Sequence, residues 1–173
     1  ILGSAISITL GFLVAYIVGQ NSEDFFGFPL LIFCFLYSYI VHWLFFIHAY
    51  IFQTEHYFDA TGSFTYISLS IILILNSLFS SGYEGLNPYT YLIGAMVILW
   101  SLRLGMFLFK RVKDVGQDIR FIEMKKDFFW FLMTWTLSGL WVFLTYVAGL
   151  SAMTSINLIE NMSSYHFTFM FIG

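Results

Sequence analysis

All seven lysines and arginines of this 173-residue chain lie between Arg103 and Lys126. On both sides run long apolar segments that carry no cationic side chain. This segregation constrains the fold more than any motif does. A water-soluble domain spreads about 25% charged residues over its surface. Here the share is 10%, against 60% hydrophobic residues and a mean hydropathy of +0.84. Such a chain has too little polar surface to face water, so lipid is the expected solvent. In lipid the backbone must satisfy its own hydrogen bonds, and a helix does that within one segment.

A spanning helix needs about 20 mostly apolar residues. Five runs meet that length, at about 2–19, 28–52, 64–82, 89–109 and 128–149. A sixth, 165–173, rises only about 14 Å as a helix and reads as half a span. The expected fold is all-α: a polytopic transmembrane helix bundle, one domain over 1–173, with five full spans and the start of a sixth. On this reading the sequence is the N-terminal portion of a larger fold. No basic region precedes the first apolar run, so no signal or transit peptide is expected within these residues.

The spans carry local signals. Gly3, Ser7, Gly11, Ala15 and Gly19 recur every four residues, a small-residue face on which another helix can pack closely. Pro29 sits where a helix can start. Cys34, the single cysteine, can form no intrachain disulfide and reads as a small buried or lipid-facing residue. His42 and His48 point about 120° apart on a helix, so they are not a metal pair. Thr61, Thr65, Ser68 and Asn76 share a face expected to look into the bundle.

The polar connections set the topology. Residues 110–127 hold six Lys/Arg against four carboxylates, and Gly116 is expected to break them into two short helical pieces. An excess of Lys and Arg marks the cytoplasmic or matrix side. Alternation of spans then puts the N-terminus and residues 53–63 on that same side. Residues 20–27, 83–88 and 150–164 fall opposite and contain no Lys or Arg. Residues 60–63, Ala-Thr-Gly-Ser, read as turn-prone. If the second helix instead continues to Asp59, then His48, Glu55 and Asp59 share one face. Endoplasmic reticulum, mitochondrial inner membrane and bacterial inner membrane are not distinguished.

Arg103 lies seven residues before Lys110, about 10 Å inside it along a regular helix. A charged residue within a span is by default a functional candidate. Its guanidinium can hold a phosphate in a fork that lysine does not copy. Lys110, Arg111 and Arg120 can add charge for a dinucleotide phosphate. Alternatively Arg103 snorkels to the headgroups and the basic loop only sets orientation. Glu55 and Asp59 can polarise a carbonyl or relay a proton if burial raises their pKa; otherwise they belong to a solvated loop. There is no glycine-rich dinucleotide fingerprint, P-loop or clustered histidine box, and no metal site is expected.

Three stretches resemble the steroid 5-alpha-reductase-like membrane protein family, in the branch related to 3-oxo-5-alpha-steroid 4-dehydrogenase. They are Tyr57-Phe58-Asp59-Ala60-Thr61-Gly62-Ser63-Phe64-Thr65-Tyr66; then Trp100-Ser101-Leu102-Arg103-Leu104-Gly105 through Lys110-Arg111-Val112 to Gly116, Asp118 and Arg120-Phe121; then Trp135-Thr136-Leu137-Ser138-Gly139-Leu140-Trp141-Val142. The resemblance implies six or seven spans and an oxidoreductase of lipid metabolism. It implies NADPH as cofactor and reduction of a carbon–carbon double bond conjugated to a ketone. An acidic or phenolic group would polarise the carbonyl. Carried onto this sequence, Arg103, Lys110, Arg111 and Arg120 would bind the cofactor, and Glu55 or Asp59 would be the catalytic polarising group.

Two departures bear on activity. Ser138 stands where this branch usually has Gln, and the family's C-terminal Ser-Arg-His-Pro-Asn-Tyr-like run is not among the 173 residues. The alternative reading is therefore a non-catalytic accessory subunit of a larger membrane complex that keeps the reductase-like fold. Expected partners are membrane lipids, a steroid or other lipid substrate, or other membrane subunits; nucleic acid is not expected.

Overall fold

A computed structural model of the chain describes residues 2–25, 27–81, 88–115 and 119–155. Five long helices dominate it: α1 (Leu2–Val18), α2 (Leu30–Ile51), α3 (Phe58–Ser81), α4 (Pro88–Val115) and α6 (Phe128–Thr154). All five are long and apolar enough to cross a membrane. A short helix, α5 (Ile119–Met124), precedes α6. A two-residue hairpin, β1 (Asp24–Phe25) and β2 (Phe28–Pro29), links α1 to α2, with Gly27 at φ +81 in its turn. The all-α bundle is as expected. The sixth span at 165–173, residues 83–87 and Gly116 lie outside the described residues.

Helix limits differ from expectation in three places. The third helix begins at Phe58, so Ala60–Ser63 is helical rather than a turn. Thr61 Oγ1 donates to Tyr57 O at 2.7 Å and Thr65 Oγ1 to Thr61 O at 2.8 Å, so these hydroxyls satisfy themselves on their own helix. The fourth helix runs past Phe109 to Val115, because a basic amphipathic turn is still a good helix. The sixth runs to Thr154 rather than ending near 149. By contrast α2 stops at Ile51, so His48, Glu55 and Asp59 do not share a helix.

The termini of these helices have local causes. Pro29 immediately precedes α2 and, lacking a backbone N–H, leaves one fewer donor to satisfy there. At its other end, Phe52 N–H bonds His48 O and Thr54 N–H bonds Ala49 O, both at 3.0 Å, around Gln53 at φ 51. This is a Schellman-type cap with glutamine in the left-handed position that usually takes glycine. Asp127 caps α6, accepting from Trp130 N–H at 2.9 Å.

Helix α6 is the hub, packed on each of α1 to α5. The small-residue face of α1 is buried: Ser7, Gly11, Ala15 and Gly19 turn inward, and Tyr39 O–H donates to Ser7 O at 2.9 Å. The α2–α6 seam closes at Gly139, where an added Cβ would lie 3.4 Å from Ser38 O, and Trp43 Nε1–H donates to Thr136 Oγ1 at 3.1 Å. Cys34 and His42 are fully buried in this core. Helices α3 and α4 form an antiparallel hairpin in close contact, Ser63 against Gly105 and Ile74 against Gly94.

Candidate functional site

Three helical repeats converge on one cavity. On α3, Asp59, Gly62, Ser63 and Tyr66 recur at three- and four-residue steps and so share a face. On α4, Trp100, Leu104 and Leu108 do the same, and on α6 so do Thr134, Ser138, Trp141 and Thr145. Between these faces lies a cleft of about 690 Å³, mostly apolar. That volume is in the range of small-molecule sites, about 300–1,000 Å³.

The cleft has a closed end and an open one. Helices α4 and α6 touch where Gly94 meets Met153 and Gly149 meets Ile93, and Thr90 Oγ1 donates to Met153 O at 3.0 Å. From there toward the basic end the cavity separates them, with α3 as its floor. Trp100 and Trp141 stand at its rim, both well exposed.

Polar groups occupy two levels. Nearest the closed end, the Tyr66 and Thr145 hydroxyls lie 2.5 Å apart. Thr145 O–H donates to Trp141 O at 2.7 Å, so the phenol is the donor to Thr145. The Tyr66 ring is held edge-on by Trp100, with centroids 5.3 Å apart. At the mouth, seven residues or about 10 Å earlier on α3, Asp59 accepts from Arg111 Nη2 at 3.2 Å. The walls between the two levels are supplied by Gly62, Leu104 and Val142.

The sequence-derived candidates divide among several places. Asp59 lines the cleft, and Arg111 is tied to it through their ion pair. Arg103 is exposed on the side of α4 turned away from α3, in a shallow cup of about 390 Å³. The cup shares Trp100 and Leu104 with the cleft, so it adjoins the cleft across one layer of side chains. Lys110 is exposed two turns further along α4. Arg120, on α5, lies against the Phe121 ring at 6.0 Å. Glu55 is outside the cleft, buried against Lys125. Among the described residues, no three His, Cys, Asp or Glu side chains are grouped so as to hold a metal ion.

Sequence reasoning misses Tyr66, Thr145 and Lys125 as site or supporting residues. Tyr66 sits inside a stretch singled out above, and its seven-residue step from Asp59 is the signal that was available. Thr145 lies at the same kind of step from Ser138. Lys125 pairs with a residue 70 positions away, and no periodicity connects them.

A protein-family comparison matches residues 44–172 to the family described as "Protein of unknown function (DUF1295)". The matched region contains every wall of the cleft. No curated protein and no solved structure matches the chain.

Proposed function

We propose, from the premise that the chain belongs to the DUF1295 family, that it is a membrane-embedded reductase acting on enone lipids or steroids with NADPH. The family is related to steroid 5-alpha-reductase-like proteins. One observation carries the reading: the three stretches that resemble such reductases, far apart in the chain, line one apolar cleft with hydroxyl groups at its inner end.

In this reading the chain's own residues hold and orient the substrate. A lipid body lies along Leu104, Leu108, Leu137 and Val142, which exclude water. Its ketone oxygen accepts from the Tyr66 phenol, which already donates within the cleft and needs only to turn from Thr145 to the ligand. Asp59, which accepts from Arg111 at the mouth, is the other candidate and would polarise a carbonyl only in its protonated form. Glu55, held by Lys125, has a positional role rather than a direct one. The cationic set fits an anionic cofactor: Arg103 and Lys110 are exposed on one side of α4, and the Arg103 cup backs onto the cleft. NADPH, when bound, would supply hydride to the conjugated double bond.

A second reading, a non-catalytic accessory subunit, is favoured by the outer face of α4. Leu99, Arg103 and Met106 are exposed there within the span, a costly position for a guanidinium unless another protein or ligand covers it.

The test is NADPH binding to the chain in lipid nanodiscs, beside Arg103→Ala and Ser138→Trp. Saturable binding that Arg103→Ala weakens about tenfold or more supports the reductase. Enone-dependent NADPH oxidation that Ser138→Trp abolishes places the substrate in the cleft. Absence of NADPH binding by folded protein overturns the reductase reading in favour of the subunit.

A further inference from the structure

A second cavity system lies at the basic end, where the ends of α2 and α4 approach the linker before α3. Its outer chamber, about 460 Å³, is lined by His48, Thr54, His56 and Tyr57, with Phe109 and Val112 of α4. A second, open hollow of about 310 Å³ continues along Phe45 and the exposed Leu44 and shares His48 and Tyr57 with the outer one. Leu44 lies one turn before His48, deeper in the span of α2. None of these residues lines the cleft.

The polar chamber is built by the α2 cap. The left-handed Gln53 turns the chain so that Thr54 and His56 follow directly on the helix end. Thr54 Oγ1 accepts from His56 N–H at 3.3 Å and lies 2.8 Å from His56 Nδ1. That contact uses Nδ1 and leaves Nε2 to meet a ligand. The His48 ring packs on Phe52 and Tyr57, with centroids 4.6 and 5.6 Å away. Donors therefore gather at the membrane-surface end, and an apolar slot runs inward from them.

We propose that this groove is a binding site for a phosphate-bearing glycerolipid. The phosphate sits among His48, His56 and Tyr57, and an acyl chain runs inward along Leu44 and Phe45. The order of the chambers, polar then apolar along the span, is the order of a phospholipid. The imidazoles of His48 and His56 and the Tyr57 phenol at the polar end suit a phosphate. A soluble phosphate would use only the outer chamber, and a neutral glyceride would leave its donors unmet.

The experiment is native mass spectrometry of the full chain in detergent. Phosphatidylglycerol, a diacylglycerol with the same acyl chains, and glycerol phosphate are titrated separately. One phosphatidylglycerol is expected to be retained at least tenfold more tightly than the diacylglycerol. Thr54→Val and His56→Ala should each erode that preference, and Leu44→Trp should expel the lipid. Equal retention of phosphatidylglycerol and diacylglycerol by the unaltered chain overturns the proposal. So does glycerol phosphate competing as well as the intact lipid, which would make the ligand a soluble phosphate. Because the first comparison needs no substitution, a variant that fails to fold leaves the test intact.

Discussion

Lys125 and Glu55 meet as a buried ion pair: Nζ lies 2.5 Å from Oε2, and the two side chains keep 9% and 3% of their surface exposed. The pair joins the linker between α2 and α3 to the linker between α5 and α6. It also sits beside the aromatic cluster in which Phe121 packs on Phe58, ring centroids 5.0 Å apart. Phe58 is itself a wall of the cleft. Desolvating two charges offsets much of their attraction, but removing one member of such a buried pair is strongly destabilising. Lys125→Met is therefore expected to cost about 3–5 kcal/mol. The double variant Lys125→Met/Glu55→Gln should recover most of that. Thermal melts of the three proteins in one detergent decide it, and equal losses in the single and double variants would refute the account.

Two glycines should respond oppositely to alanine. A Cβ at Gly11 would lie 2.7 Å from a Phe35 ring carbon and 3.0 Å from the Tyr39 hydroxyl. Gly11→Ala must push α1 off α2 and is expected to destabilise by about 1–3 kcal/mol. At Gly62 the nearest neighbour is a Val142 methyl at 3.7 Å, an ordinary contact. Gly62→Ala should leave the melting temperature unchanged or raised, since alanine is the better helix former by about 1 kcal/mol. It should also narrow the cleft, which a ligand-binding assay on the same protein would detect.

Tyr66→Phe tests the phenol as the group that meets the substrate carbonyl. General-acid contributions of this kind run to about 10²–10⁴-fold. The expected result is a fall in kcat within that range with KM little changed. A variant with normal kcat would move the role to Asp59, and Asp59→Asn is the paired measurement.

Glu23 gives a pH dependence with a definite sign. It lies between the 3-10 turn Gly19–Asn21 and β1, outside the spans. Asn76 Nδ2 donates to its Oε2 at 3.4 Å, and its backbone N–H bonds Thr154 O at 2.8 Å. Burial pushes its carboxyl above the usual carboxylate range. The folded state then holds the proton more tightly than the unfolded chain, whose value is about 4.3. The stabilisation is full below that value and is lost as pH rises through the folded pKa. Glu23→Gln keeps the acceptor oxygen and removes the titration. It should therefore melt higher than the unaltered protein at pH 8 and match it at pH 4. The same offset at both values would exclude this carboxyl as the cause.

The long helices are legible because each needs only length and apolarity, and those are local. The inward face of α1 is legible too, since Ser7, Gly11, Ala15 and Gly19 keep a strict four-residue step. The start of α3 is not. Residues 60–63 look like a turn to any rule that counts polar residues, yet Thr61 is met by its own helix, Asp59 just before them by Arg111, and Ser63 packs closely on Gly105 of α4. At the site, the stretches around Asp59, Arg103 and Ser138 stand out in sequence. Their convergence does not, because it depends on the relative rotation of α3, α4 and α6. Arg103 and Arg111, eight residues apart on α4, point about 80° from each other, and only the packing decides that one meets an outer cup and the other Asp59 at the mouth of the cleft.

The contact of α4 with α6 at Gly94 and Gly149 makes the space between them a wedge. A wedge sorts by girth rather than by length. A body slim at its leading end, an acyl chain or the end ring of a fused system, would reach the Tyr66 and Thr145 hydroxyls, whereas one broad at that end would halt nearer Asp59. How deep a molecule travels thus becomes a gauge of its thickness, and only those slim enough at the leading end present an oxygen to the phenol. The two glycines at the apex set the finest graduation of that gauge, although neither touches the guest.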